Sequence, residues 1–339
     1  MSLAGKVSIC LPVFNGEKFL SEAIASALAQ SYENFELIVC DDGSSDSSWE
    51  IIESCALKDK RIIASRNDER KGLFENYNLC MSKASGEFIK PFAQDDLLFP
   101  ETLTVMTDAL RKNPGVVLVA SPRKILDQDG AMTESAPSYP GSGRIAGKNA
   151  VLTALKTRDN VIGEPVCVLF PSKFIGKGFD SNYYSLGDIE FCLRILAQGD
   201  LFYLQEACVA FRRHEQSTST RLINRMNWPL DFVRLGHAYK DLLPEIGATE
   251  EKYMLETISR VALEFKDQVT REEIDGRDLE GFKEVAYYAL LALGRNEQER
   301  LYYRAKCEGM TRSASWKLTK PLRKLKAAVR HMPKDAVED

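Results

Sequence analysis

Phe35-Glu36-Leu37-Ile38-Val39-Cys40-Asp41-Asp42-Gly43-Ser44-Ser45-Asp46 is a mostly apolar run that stops on two adjacent acids and a turn. Such a run, bounded by a turn signal, reads as a buried strand. Ser45 or Asp46 can cap the helix that follows through Ile51, Ile52 and Cys55. The same alternation continues on both sides. Val7 to Phe14 is an apolar run ended by Asn15-Gly16, and Glu17 to Gln30 carries a helical stripe of Phe19, Leu20, Ile24, Ala27 and Leu28. Arg61 to Ser65 is a third strand, Leu73 to Lys83 a helix and Glu87 to Phe92 a fourth strand. Pro100-Glu101 opens another helix, since proline suits the first helical position, and Val116 to Ser121 returns to strand.

Strands and helices in that order mean parallel strands joined by crossover helices, hence an α/β sandwich. Ligands of such sheets bind beyond the carboxyl ends of the strands. Three polar clusters stand at such ends: Asn15-Gly16, Asp41-Asp42-Gly43 and Gln94-Asp95-Asp96. They are expected on one rim of one sheet. Further on, Asp129-Gly130 reads as a hairpin turn and Ala136 to Lys148 as a loop. Val166 to Phe170 reads as a strand, Asp188 to Gln198 as a helix and Leu201 to Phe211 as one strand. Residues 229–308 hold amphipathic helical patterns and almost no strand signal. The expected organisation is therefore a catalytic domain over 1–220, a helical domain over 221–310 and a basic tail over 311–339.

The 339 residues are 44% hydrophobic and 28% charged, the values of a globular chain able to bury a core. The net charge of −4 argues against a nucleic-acid partner. The eight cysteines form no C-x-x-C pair, so they read as reduced core residues and not as a zinc ribbon. No signal peptide is evident, and no apolar run approaches the roughly 20 residues needed to span a bilayer. A soluble or peripheral protein is expected.

The clusters carry chemistry. Two acids at a strand end are costly if buried unpaired. Asp41 and Asp42 need solvent, a cation or donors such as those of a base and ribose; a solvated turn with a helix cap also accommodates them. Asp95 and Asp96 are hard oxygen ligands suited to Mg2+ or Mn2+, which take one or two protein carboxylates and leave other positions to phosphate and water. Asp188, after Gly187, can cap its helix or act as a general base. His214, in Arg212-Arg213-His214-Glu215-Gln216-Ser217, can pack at the surface or complete a metal site.

Taken together, these stretches resemble the family-2 glycosyltransferases with the GT-A fold, of the bacterial envelope-glycan type. The resemblance runs from Val7-Ser8-Ile9-Cys10-Leu11-Pro12-Val13 through Gly72-Leu73, Asn78, Ser85-Gly86-Glu87-Phe88-Ile89 and Gln94-Asp95-Asp96. It ends in Gly187-Asp188-Ile189-Glu190 with Leu193-Arg194, and in the segment of His214. It covers about residues 6–220. It implies a Rossmann-like three-layer sandwich and a metal-dependent, inverting transfer from a nucleoside-diphosphate sugar, UDP-linked by family frequency. Pro12, Val13, Asn15 and Glu17 would line the nucleotide pocket. Asp41 would receive the base with Asp42 beside it, and Arg70 and Asn78 would border base or ribose. Asp95 and Asp96 stand at the family's DXD-type motif, Asp96 and His214 as metal ligands for Mn2+ or Mg2+, and Asp188 matches the catalytic base. The acceptor would be a saccharide or lipid-linked hydroxyl in cell-surface polysaccharide synthesis, at the cytoplasmic face of the plasma membrane.

Two departures stand out. Gln94 sits where many members carry an acid, so weaker metal binding is expected. Gly187 sits where members often have Glu. The Q-x-x-R-W motif of processive synthases is absent around Trp49, Trp228 and Trp316, which favours transfer of one or a few sugars. No Walker A loop is present, and the Gly-rich basic loop of a nucleotidyltransferase is missing after the first strand. A non-catalytic nucleotide-sugar-binding partner is the alternative, and it would turn Asp188 away from the metal rim. From Arg312 to Lys334 there are eight Lys or Arg and no acid, and the segment around Trp316 resembles a tail of envelope-glycan glycosyltransferases. It can lie on an anionic membrane or pack as a solvated basic helix. The long helices over 229–308 can cover the catalytic domain or pair a homodimer.

Overall fold

A computed structural model describes residues 5–127, 129–139, 141–183, 185–214, 228–250, 252–254 and 256–257. The tail over 311–339 and most of the helical region over 221–310 lie outside the described residues, as do Glu215, Gln216 and Ser217. The chain divides into two units, 1–224 and 225–339.

The first unit opens with β1 (Val7–Val13), α1 (Leu20–Leu28), β2 (Phe35–Asp41), α2 (Ser48–Lys58), β3 (Ile62–Arg66), α3 (Leu73–Ser82) and β4 (Phe88–Pro91). Every residue of β1, β2 and β4 is buried, which is why they read as continuous runs and not as alternating ones. Then follow β5 (Leu97–Leu98), α4 (Thr102–Lys112), β6 (Val116–Ala120), β7 (Arg123–Leu126), β8 (Met132–Glu134), β9 (Gly143–Ile145) and α5 (Gly147–Thr157). β10 (Val168–Pro171), α6 (Gly187–Leu196), β11 (Asp200–Tyr203) and β12 (Val209–Arg212) complete it.

An eight-stranded sheet runs β3-β2-β1-β4-β10-β6-β11-β9, and a four-stranded sheet runs β5-β12-β7-β8. β3, β2, β1 and β4 are parallel, with Val13 level with Asp41. β10 is antiparallel to both its neighbours. α1 packs Leu20, Ala23, Ile24 and Ala27 onto the sheet beside Ile9, Leu11 and Leu37, all with at most 1% of their surface exposed. Each such side chain contributes roughly 1.5–3 kcal/mol. The chain leaves β1 for β2 on one side and reaches β4 on the other, so a crevice opens at the carboxyl end of β1.

Three expectations need correction. Leu201 to Phe211 is two strands, β11 and β12, in different sheets; the chain changes sheet over the exposed Gln205-Glu206. Ala136 to Lys148 is not all loop, because Gly143–Ile145 pairs with β11 at the sheet edge and α5 starts at Gly147. α2 starts at Ser48 with Ser47 at its N-cap, so neither Ser45 nor Asp46 holds that position, although Asp46, one residue further back, accepts the Ser48 N–H at 3.0 Å. Among the described residues seven cysteines are free thiols, six of them buried. Among the described residues no helix is long and apolar enough to cross a membrane.

In the second unit the described residues include a helix, Trp228–Ala238, a tight helical turn, Lys240–Ile246, and most of the short stretch that follows it to 257. Leu235, Leu243 and Tyr253 there are fully buried.

Candidate active site

Parallel β2, β1 and β4 bring the three polar clusters to one edge, around a cavity of about 420 Å³. That is the size range of small-ligand sites. It is lined by Pro12, Val13, Asn15, Asp42, Arg70, Asp95, Asp96, Asp188 and His214, nine of the twelve residues the sequence singles out.

The loop after β1 is fastened to the loop after β2. Asn15 N donates to Ser44 Oγ (2.9 Å), Gly16 N to Ser48 Oγ (2.8 Å) and Glu17 N to Asp46 Oδ2 (3.1 Å). In return Ser45 N donates to Asn15 Oδ1 (2.9 Å) and Ser47 N to Glu17 Oε2 (3.1 Å). Asn15 holds a left-handed conformation (φ 49°), which Asn tolerates better than most residues. Burial opposes ionisation of Asp46, but donors from Ser48 and the Glu17 N–H hold it below its usual range.

Glu17, Asp41 and Asn78 lie outside the cavity lining. Glu17 belongs to the fastening just described. Asp41 is fully buried; Ser44 donates to both its oxygens, and Arg66 Nε lies 3.1 Å from Oδ2. Successive side chains of an extended chain point to opposite faces, so only one of the two acids can face the crevice. That one is Asp42, which also accepts the N–H groups of Lys71 and Gly72 at 2.8 Å and so pins the loop bearing Arg70. Arg70 stacks on Phe14, its guanidinium 3.9 Å from the ring centre. Asn78 exchanges two hydrogen bonds with the backbone of Phe179, tying α3 to the segment before α6.

Asp95 and Asp96 stand where the chain crosses from the large sheet to β5. Asp96 is 1% exposed and accepts the Arg212 N–H at 2.8 Å. Burial, then the charge of Asp95, drives Asp96 well above the usual carboxylate range. Asp95 is more exposed, and His214 Nε2 lies 3.0 Å from its Oδ2. Arg212, at the end of β12, also donates to the Asp95 carbonyl (2.8 Å), pairs with Glu22 and lies over Phe19. Arg212 thus fixes the acidic turn from the second sheet, a role the sequence does not reveal. Among the described residues no three His, Cys, Asp or Glu side chains form a ready-made metal cage. Two adjacent carboxylates and an imidazole on one cavity wall, one acid buried against its charge, nevertheless fit a hard divalent cation that keeps positions for phosphate.

Asp188 lies in the first turn of α6, where the helix N-terminus favours its charge. Its Oδ1 accepts the Ile189 N–H at 2.8 Å. Gly187 has a steric reason: a Cβ there would lie 2.6 Å from the Phe74 ring. Phe74, itself a cavity residue, takes the space that an acid side chain would occupy, and stacks on Phe179 with ring centres 5.5 Å apart. Lys18, Tyr77 and Glu164 also line the cavity and went unnoticed in the sequence. Glu164 pairs with Arg123 at 2.9 Å. None of these lies in a motif; long-range packing brings them in.

Residues 8–170 match the profile of Glycosyl transferase family 2. An uncharacterized glycosyltransferase of Haemophilus influenzae is 37% identical over 107 residues, covering 32% of this chain and 43% of that protein. The chain thus spans less than half of that relative. The fold is similar to that of S. aureus TarS 1-349, solved in complex with UDP-GlcNAc, with TM-score 0.62 at 16% identity, covering 96% of this chain and 91% of that one. It is also similar to mannosyltransferase PcManGT of Pyrobaculum calidifontis, in complex with GDP-Man and Mn2+, with TM-score 0.53 at 15% identity, covering 90% of this chain and 85% of that one. Over residues 8–170 the chain is thus similar to the family 2 glycosyltransferases of the bacterial type, and its mixed sheet and the order of its elements are those of the GT-A fold.

Proposed function

We propose that the chain is a metal-dependent, inverting glycosyltransferase that moves a sugar from a UDP-sugar to a hydroxyl of a saccharide or lipid-linked acceptor in cell-surface polysaccharide synthesis. The observation that carries this reading is the gathering of Asp42, Arg70, Asp95, Asp96, His214 and Asp188 around one cavity at the carboxyl edge of the sheet. TarS and PcManGT, similar in fold, were solved with a UDP-sugar and a GDP-sugar, which supports a nucleotide-sugar donor.

Asp42, Arg70 and Phe14 form the nucleotide end. Asp95, Asp96 and His214 would hold Mn2+ or Mg2+, which when bound supplies positive charge for the departing diphosphate. Asp188 takes the proton from the acceptor hydroxyl as its oxygen attacks the anomeric carbon. The bond from that carbon to the diphosphate oxygen breaks on the opposite side, and the configuration inverts. Asp188 lines the same cavity as the acid pair, which speaks against a purely binding role. Holding both reactants in line in a cavity of this size contributes much of the rate.

The test is calorimetric titration with UDP, dTDP, GDP and their sugars, in Mn2+, in Mg2+ and in EDTA, on the native chain and on Asp95→Asn. Metal-dependent binding of UDP compounds, weakened in the variant, is expected. Binding of GDP or dTDP compounds alone would replace the UDP assignment. Binding of none would end the glycosyltransferase reading.

A further inference from the structure

Gln94 occupies the acid position of the family pattern, but its side chain does not face the acid pair alone. Its amide reaches across to the loop after β1 and closes on one residue from both sides. Phe14 N donates to Gln94 Oε1 at 2.8 Å, and Gln94 Nε2 donates to the Phe14 carbonyl at 3.1 Å. Only a side-chain amide supplies an acceptor and a donor in that spacing; a carboxylate would accept the N–H and repel the carbonyl. Gly16 is cut to fit the same group. A Cβ at Gly16 would stand 2.7 Å from Gln94 Cδ and Oε1, although its backbone conformation is open to other residues. Phe14 is the ring on which Arg70 stacks, and both line the cavity.

From this geometry we infer that Gln94 is a positioning residue for the nucleotide end of the site, not a depleted member of the metal set. It sets the Phe14 backbone, and through Phe14 the wall formed with Arg70. The far side of the same loop is held by Ser44, Ser48 and Asp46, so the Gln94 amide is the tie from the β4 side. The replacement of an acid by Gln thus exchanges one carboxylate for a two-way clasp. The nucleotide assignment rests on the proposed function; the clasp itself does not.

The experiment uses the full chain and three readouts: amide exchange at Phe14 without ligand, the Kd of Mn2+ alone, and the Kd of UDP at saturating Mn2+. In Gln94→Leu, Phe14 exchange should quicken by about tenfold or more and UDP should bind about tenfold more weakly, while the Mn2+ Kd stays within about twofold. Gly16→Ala should reproduce the faster exchange. In a Gln94→Ala background, where the colliding amide is gone, it should add nothing. Gln94→Glu keeps the acceptor and loses the donor, and should fall between the native chain and Gln94→Leu in exchange. Unchanged Phe14 exchange in Gln94→Leu, or an Mn2+ Kd that shifts with UDP binding intact, overturns the inference. If the native chain binds no nucleoside diphosphate, the proposed function falls, and the exchange readouts still decide the clasp.

Discussion

Lys90→Met should change how the protein's stability responds to alkali. Lys90 lies on β4 with no exposed surface, and its ammonium donates to the carbonyls of Val166 and Val168, the second at 3.1 Å. It thereby ties β4 to the segment that brings Glu164 and Pro165 to the cavity. Burial lowers its pKa from 10.5 to about 8, against the opposing pull of nearby groups that include Asp96. The unfolded chain therefore titrates this amine at the higher value and the native chain at the lower one. Between about pH 8 and 10.5 the unfolded chain holds a proton that the native chain has released. Native stability thus rises with pH across that window, and the cost of burying the charge is fully present below it.

At roughly 1.4 kcal/mol for each tenfold change in proton affinity, this contribution is about 3 kcal/mol. Met removes it. It also leaves two carbonyls without their donor, at about 1–3 kcal/mol each, so the offset at neutral pH is the sum of opposing effects. The pH dependence isolates the charge. Urea unfolding of both proteins at steps from about pH 7.5 to 10.5 should show the native chain gaining about 3 kcal/mol relative to Lys90→Met, because titrations remote from Lys90 cancel in the difference. Lys90→Gln, which keeps a donor without the charge, should give the same slope. Parallel curves would refute the reasoning, since they would mean that Lys90 titrates alike in both states.

Other perturbations probe the site and its frame. Asp188→Asn should cut turnover by about 10²–10⁴ with UDP binding within about twofold in calorimetry; an equal loss of both would assign Asp188 to donor binding. His214→Ala should abolish the stimulation of transfer by Mn2+, and an unaltered Mn2+ response would remove His214 from the metal set. Glu36 is held below its ordinary 4.5, burial being outweighed by donors from Lys6, Ser8 and Ser85. Its contribution is present above about that pH and lost as pH falls through the lower native value. Glu36→Gln should thus be less stable at neutral pH by about 1–3 kcal/mol and lose less on acidification, read from urea midpoints between pH 7 and 3; identical slopes would contradict this. Gly187→Glu should cost about 1–3 kcal/mol through its collision with Phe74, and Phe74→Ala should recover part of that loss in thermal melts. A full-strength native melt for Gly187→Glu alone would show that the ring yields freely.

The first half of the fold was legible because its strands are buried on both faces, which leaves continuous apolar runs with polar ends. The rim could be named for the same reason: Asn15-Gly16, Asp41-Asp42 and Gln94-Asp95-Asp96 each follow a strand that runs the same way. Beyond β6 the signal fades. β11 and β12 are separated by only five residues, and no turn residue marks the change from one sheet to the other. Motif position also did not fix direction. Asp41 and Asp42 are neighbours, and backbone alternation sends one to Ser44 and Arg66 and the other to the crevice. A residue-by-residue transfer of roles from the family pattern cannot make that distinction, and for Asn78 and Glu17 it named side chains that hold loops.

What remained hidden shares one property: its partner is far away in sequence. Gln94 acts on Phe14, Arg212 on Asp95 and Asp96, Lys90 on Val166 and Val168, and Phe74 against Gly187. Each joins two chain segments that carry groups of the cavity. A catalytic rim built from loops needs such ties, because displacements of about an ångström are costly to transfer chemistry. The acids proposed to do the chemistry advertise themselves by their cost of burial, whereas the residues that aim them are ordinary in type. Arg212 shows the consequence. Its backbone N–H satisfies the buried Asp96, its guanidinium holds the Asp95 carbonyl, and β12 carries it next to His214. The second sheet is thereby part of the site, since it presents the acid pair and the imidazole to the same cavity wall.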